Sequence, residues 1–188
     1  LDEYIKRIQI NGNKKSQIVN FNLEDVDDRF ARSIVKIFGR MFMKYTKGLA
    51  ERASFPIHMI LEEAHRYVLE GDDKKLFGYN IFERIAKEGR KYGVILGLIT
   101  QRPSELSNTA LSQCSNFIAF RMFHPEDISI IKNITSSVSD ETIDKLKNLT
   151  PGTAITFGTA FKIPLISKLD LPNPMPESTS VDIASRWF

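Results

Sequence analysis

The amino-acid sequence predicts an α/β fold with a largely parallel sheet. Two observations carry that expectation. Short apolar runs alternate with helix-period segments along most of the chain, and two buried runs, Ile57–Leu61 (IHMIL) and residues 94–100 (VILGLIT), are separated by a helical pattern. With 188 residues the chain can bury one sizeable core, and its apolar and charged fractions, 42% and 26%, are those of an ordinary globular protein.

Taken in order, residues 17–23 (QIVNFNL) read as the first strand. A long helix follows, with Phe30, Ile34, Ile37, Phe38, Met41, Phe42 and Tyr45 on one stripe, which we read as core, and Gly48 as its stop. The strand Ile57–Leu61 is next, then a polar surface loop around residues 71–75. Ile81, Ile85 and Ala86 predict a helix ending near Gly93, before the strand at 94–100. Pro103 breaks the chain, a short helix covers residues 105–113, and residues 116–122 return as a strand. Pro125 opens a short helix at its first turn. Ser139 caps another that runs to about Leu149, with Thr142 at the position where a capping box carries Glu or Gln. Pro151-Gly152 is a turn, and residues 153–169 read as two strands joined near Gly158. The domain is expected to cover residues 1–170. Residues 171–188, with three prolines in five residues, are expected to form an extended tail with a short helix ending at Trp187.

Composition excludes several classes. The balance of 26 basic against 23 acidic residues gives a net charge of +3, with no dense basic tract, so a nucleic-acid partner is permitted but not argued for. The single cysteine, Cys114, cannot form an internal disulfide and fits a reducing, cytoplasmic setting. His58, His65 and His124 lack zinc-ligand spacing. No run approaches the roughly 20 apolar residues that span a bilayer, and no signal peptide opens the chain. The chain begins at Leu1 rather than Met, so we expect it to start inside a longer protein.

The chemistry concentrates at two strand ends. Glu62 and Glu63 follow the buried run IHMIL, and ligands bind beyond the carboxyl ends of parallel strands. One carboxylate there can hold Mg²⁺ through water while the next orients a water against a γ-phosphate, the logic of a Walker B element. The alternative is an acidic pair favoured by the dipole of the helix it opens. One βα unit later, a strand ends in Thr100-Gln101-Arg102-Pro103, and the Gln101 amide at the same sheet edge suits a sensor of phosphate and attacking water. The preceding helix carries Arg84, Lys87, Arg90 and Lys91; Arg84, Lys87 and Lys91 share a face that is either functional or simply solvated.

The acidic pair followed by AH, then KEGRKYGV, TQRP, LSQCSNFIAFRM and the proline-rich end resemble the HerA family, in the expected order from Ile57 to Phe188. HerA proteins are hexameric, DNA-translocating ATPases related to FtsK. The resemblance implies a RecA-like (P-loop NTPase) fold, ATP and Mg²⁺ as cofactors, double-stranded DNA as partner, a homo-hexamer, and a NurA-like nuclease partner in end processing or defence. It implies that Glu62 and Glu63 are the Walker B pair, with Glu62 toward the metal and Glu63 catalytic. It also implies that Gln101 is the polar sensor and that Arg90 is an arginine finger acting on the neighbouring subunit's nucleotide, with Arg84 the rival. Lys74 and Lys75, on the loop after the pair, are candidates for DNA phosphate contacts; the alternative is a solvated loop.

Two features depart from the family pattern. Glu62 stands where related ATPases more often have Asp, and no G-x-x-x-x-G-K-[ST] occurs; Gly12 in NGNKKSQ lacks the second glycine and the spacing. The expectation is therefore the carboxyl-terminal part of an ATPase domain without its phosphate-binding strand, inactive alone. EEAH also suggests a DEAH-box helicase, which the lack of a Ser-Ala-Thr element and an arginine-rich final motif argues against. A non-catalytic ring-assembly or interaction module is the alternative from another class. In the family the missing strand lies between the strand ending at Gln101 and the strand at 116–122. Those two strands are therefore expected to pair directly or across molecules.

Overall fold

The computed structural model describes residues 14–71, 79–134 and 138–176, together with 3, 5, 7, 10 and 11. Near the amino end, β1 (Ile10–Asn11) pairs antiparallel with β2 (Lys14–Lys15). Helix α1 spans Asp28–Lys47; the Asp27 side chain caps it by accepting from the Arg29 N–H at 3.0 Å, Lys44 and Lys47 lie in its last turn, and Gly48 closes it.

Strands β3 (Ile57–Leu61) and β4 (Val94–Leu98) form a parallel pair in register from Ile57 opposite Val94 to Leu61 opposite Leu98. Between them lies α2 (Ile81–Glu88), which tightens into a 3-10 turn at Gly89–Tyr92 and stops at left-handed Gly93. After β4 come a 3-10 turn at Pro103–Glu105, α3 (Asn108–Leu111), β5 (Asn116–Ala119), α4 (Pro125–Ile134) and α5 (Asp140–Asp144). The Ser139 side chain caps α5, and a 3-10 turn at Lys145–Asn148 continues it. Strands β6 (Thr153–Gly158) and β7 (Leu165–Lys168) complete an antiparallel sheet in the order β5-β6-β7.

Two cores result. Met59, Leu61 and Val94 face Ala31, Val35, Met43, Phe82 and Ile85 in the first. Ile128, Ile131, Ile143, Leu146, Ile155 and Phe157 fill the second. Phe117 and Ile134 pack against both, and the Phe117 and Phe157 rings stack at 5.1 Å. The backbone N–H of Ser104 donates to buried Asp127 at 3.0 Å, fastening α4 to the turn after β4.

Several expectations are corrected. Residues 17–23 form no strand; Ile18 is 88% exposed, because no neighbouring strand among the described residues offers its backbone a partner. The buried line of α1 is Ala31, Val35, Gly39, Met43 and Thr46, while Phe30 and Ile37 are exposed. Small residues win that face because α2 lies close: a Cβ on Gly39 would stand 3.3 Å from Ile81 Cγ1. The segment expected as one short helix at 105–113 is split into the 3-10 turn and α3, and the strand at 116–122 ends at Ala119. The parallel part is one pair rather than most of the sheet. Among the described residues β4 does not pair with β5; each borders a different sheet. Nor is the pair covered on both sides, since Ile60, Ile95 and Ile99 on its other face are exposed. The loop residues 72–75 and the tail beyond 176 lie outside the described residues.

Gly89 joins α2 to β4 at a close backbone approach, where a Cβ would meet the Val94 carbonyl oxygen at 2.5 Å. Gly89→Ala is expected to cost about 2 kcal/mol, the scale of overpacking. Gly48→Ala, whose Cβ would meet nothing closer than 3.4 Å, should stay within about 1 kcal/mol of wild type. Urea unfolding of the two variants checks the contrast.

Candidate functional site

The site begins with backbone bonds that run past the ends of β3 and β4. The Ile99 N–H donates to the Leu61 carbonyl and the Ala64 N–H to the Ile99 carbonyl, both at 2.9 Å. Between them the chain turns sharply: Glu63 is left-handed, with φ 48° and ψ 47°. Such a backbone costs a non-glycine residue about 1–2 kcal/mol. A 3-10 turn at Ala64–Arg66 follows, in which the Arg66 N–H donates to the Glu63 carbonyl and the Val68 N–H to that of Ala64, each at 2.9 Å.

This turn directs Glu63 toward the end of β4. Gln101 Nε2 donates to Glu63 Oε1 at 3.1 Å across 38 residues of sequence. The other oxygen, Oε2, lies 3.4 Å from His65 Nδ1, which is itself 3.0 Å from Thr100 Oγ1. Thr100 Oγ1 also accepts from the Arg102 N–H at 3.0 Å, and the Arg102 guanidinium pairs with Glu105. Glu62 is exposed at the same strand end, with no side-chain hydrogen bond or ion pair among the described residues. Glu63, Gln101 and the neighbouring Glu62 therefore occupy one edge, as expected.

The two arginines differ. Arg84 donates to Glu88, lies 4.9 Å over the Tyr79 ring, and is held above its ordinary pKa by Glu88 and then Tyr79. Glu88 also accepts from Lys47 at 3.0 Å, and the two cations hold its carboxyl below the usual range. Arg90, in the 3-10 turn before β4, is exposed and has no side-chain hydrogen bond or ion pair among the described residues. It sits at the amino end of β4, whereas Glu63 and Gln101 flank the carboxyl end. A five-residue strand spans roughly 16 Å.

Lys87 and Lys91 are exposed, while Lys74 and Lys75 lie outside the described residues. An open hollow of about 290 Å³ on α2, lined by Tyr79, Asn80, Glu83, Arg84, Lys87 and Glu88, includes neither Glu63 nor Gln101. With Glu62 and Gln101 exposed and the Glu63 side chain 43% exposed, the strand-end site is an open edge. Among the described residues no three acidic, His or Cys side chains group as a metal site, and no helix is long and apolar enough to cross a membrane. Sequence reasoning missed His65 and the hydroxyl of Thr100. Both stand in the motifs already singled out, but no residue type there signals the left-handed turn at Glu63 that brings them together.

No protein-family model matches the chain. It is 32% identical over 165 residues to a probable helicase of Methanocaldococcus jannaschii, covering 86% of this chain and 32% of that protein. It is 30% identical over 185 residues to the DNA double-strand break repair helicase HerA of Saccharolobus solfataricus, covering 98% and 36%. A second probable helicase of Methanocaldococcus jannaschii is 40% identical over 163 residues, covering 83% and 31%. The chain thus spans about a third of the length of the curated relatives it matches. Its fold resembles that of the genome packaging NTPase of Sulfolobus turreted icosahedral virus 2, solved with ATP-gammaS; the TM-score is 0.58 at 19% identity, covering 88% of this chain and 76% of that one.

The left-handed turn gives a test that needs no ligand. Glu63→Gly should be about 1 kcal/mol more stable than Glu63→Ala in urea unfolding, because only glycine relieves the backbone. Equal stability, or a more stable alanine variant, would show that residue 63 is not held left-handed in solution.

Proposed function

We propose, on the premise that this chain is homologous to the HerA helicases over most of its length, that it supplies the water-activating and trans-acting parts of an ATP-driven DNA translocase. The observation that carries this reading is the contact between Glu63 and Gln101, brought together at the carboxyl end of a parallel strand pair. Glu63 accepts a proton from, or orients, the attacking water. The Gln101 amide, exposed and bonded among the described residues to Glu63 alone, turns between that carboxylate and a γ-phosphate oxygen.

Glu62 fits the role of holding Mg²⁺ through water. It is a single exposed carboxylate with no side-chain partner among the described residues, and Mg²⁺ keeps several waters and takes most of its other contacts from phosphates. Bound there, Mg²⁺ would neutralise charge on the phosphates. The loop that cradles those phosphates is absent from the sequence and comes, in this reading, from polypeptide outside these 188 residues. Its strand would border β4 and β5, each of which has one edge unpaired among the described residues.

Arg90 is the better finger. It is exposed and has no side-chain partner among the described residues, while Arg84 is tied to Glu88 and stacked on Tyr79. Since Arg90 and Glu63 lie at opposite ends of the strand pair, Arg90 reaches a nucleotide held by the next subunit rather than its own. That geometry requires a ring or other oligomer; a hexamer on double-stranded DNA, working beside a nuclease, is the form proposed.

The chain alone is expected to hydrolyse no ATP. Joined to a phosphate-binding segment it should gain magnesium-dependent, DNA-stimulated turnover, and Glu63→Gln should then lower kcat by about 10²-fold or more while ATP still binds. Wild-type turnover in Glu63→Gln would remove the catalytic role from Glu63 and favour an interaction module. Mixing Arg90→Ala with Glu63→Gln subunits should restore activity at interfaces that retain both groups. No rescue in mixed rings, or rescue by Arg84→Ala instead, would remove Arg90 from the role.

A further inference from the structure

Glu63 meets two neighbours, Gln101 through a hydrogen bond and the His65 ring at ion-pair distance. Gln101 is exposed and has one side-chain partner among the described residues. The His65 side chain is only 16% exposed and faces two groups, Glu63 Oε2 at 3.4 Å and Thr100 Oγ1 at 3.0 Å, through one atom, Nδ1.

The hydrogen-bonding capacity of these groups decides where the proton lies. An ionised carboxylate only accepts, so Nδ1 without a proton would turn a lone pair toward Glu63. Thr100 Oγ1 has two lone pairs; one takes the Arg102 N–H at 3.0 Å, leaving the other for His65. A proton on Nδ1 fills the second lone pair of Thr100 and turns a positive hydrogen, not a lone pair, toward Glu63, while the Thr100 hydroxyl proton is left for another acceptor. The tautomer of a histidine is set by such bonds.

We propose that His65 is a positioning residue for Glu63: its Nδ1–H, anchored on Thr100 at the end of β4, keeps the carboxylate aimed when Gln101 turns to phosphate. This rests on the reading of Glu63 as the group that orients the attacking water. The ring does not touch the reacting atoms. It ties the turn after β3 to the end of β4, so carboxylate and sensor strand move together.

Ring nitrogen-15 NMR of the 188-residue chain at pH 8, assigned by loss of the His65 signals in His65→Asn, reads the tautomer directly. We expect His65 with its proton on Nδ1, reverting in Glu63→Ala and in Thr100→Val to the Nε2–H form that free imidazole side chains favour in water. An Nε2–H ring in the wild type would overturn the proposal. In the chain joined to a phosphate-binding segment, His65→Ala should lower kcat by up to about 100-fold with the KM for ATP little changed, the scale of a misplaced catalytic group. His65→Asn, whose amide nitrogen stands near the Nδ1 position, should recover most of it, and His65→Gln should not. Equal recovery by both, or an undiminished kcat in His65→Ala, would also overturn it. The two readings fail separately: full turnover in Glu63→Gln sinks the role of Glu63, while the tautomer experiment still reports whether His65 holds that carboxylate.

Discussion

The site depends on the register of a single parallel ladder. Ile57 opposite Val94 at one end fixes Leu61 opposite Leu98 at the other, and two further backbone bonds carry the ladder into the turns beyond. An exposed side-chain bond such as Gln101 to Glu63 contributes only about 1 kcal/mol, too little to bring two chain segments together. Proximity comes first from the ladder, and the side-chain bond follows from it. Slipping the register by one residue would turn Met59 and Leu61, now buried, to the open face and bring Ile60 inward. The same inward burial that stabilises the pair therefore also fixes which polar residues meet at its end.

The strain at Glu63 belongs to the same account. A left-handed glutamate costs about 1–2 kcal/mol, and a glycine would relieve it. What holds the turn is the backbone bonding on both sides, from Ala64 to Ile99 and from Arg66 and Val68 back to Glu63 and Ala64. Val68 and Ala64 are fully buried, so those bonds are shielded from water. A strained side-chain-bearing residue at the candidate water-orienting position is the pattern expected when geometry at a site outweighs local comfort.

Much of this was legible in the sequence, for identifiable reasons. Ile57–Leu61 and the strand beginning at Val94 were read correctly because short β-branched runs between turn residues have one economical use in an α/β chain. The caps at Gly48 and Ser139 and the turn at Gly152 are local chemistry and survived intact. Residues 17–23 did not, because a strand needs a neighbour and periodicity cannot supply one. The stripe on α1 was misjudged because large apolar residues attract attention, whereas close helix packing selects Ala31 and Gly39. The meeting of Glu63 with Gln101 could be foreseen from two strands of one sheet. The His65 contact could not, because it follows from the left-handed turn, which no residue type in EEAH signals.

A strand pair has two ends, and functional groups placed on it divide between them. Glu63, Gln101, His65 and Thr100 gather at the carboxyl end of β3 and β4, where the proposed reading puts water activation. The uncommitted arginine sits at the amino end, on the turn that enters β4. Gly89, packed against the Val94 carbonyl, and left-handed Gly93, packed against Ala53, hold that turn in place. A cation fixed roughly one strand length from the carboxylate cannot close on the same phosphate without dismantling the ladder that positions both. Under the proposed reading, the separation is therefore what makes hydrolysis a property of an interface: each subunit offers one half of a site at each end. The rigidity of β4 then links the two halves, because a displacement that brings Arg90 toward one nucleotide is transmitted along five bonded residues to Gln101 at the next.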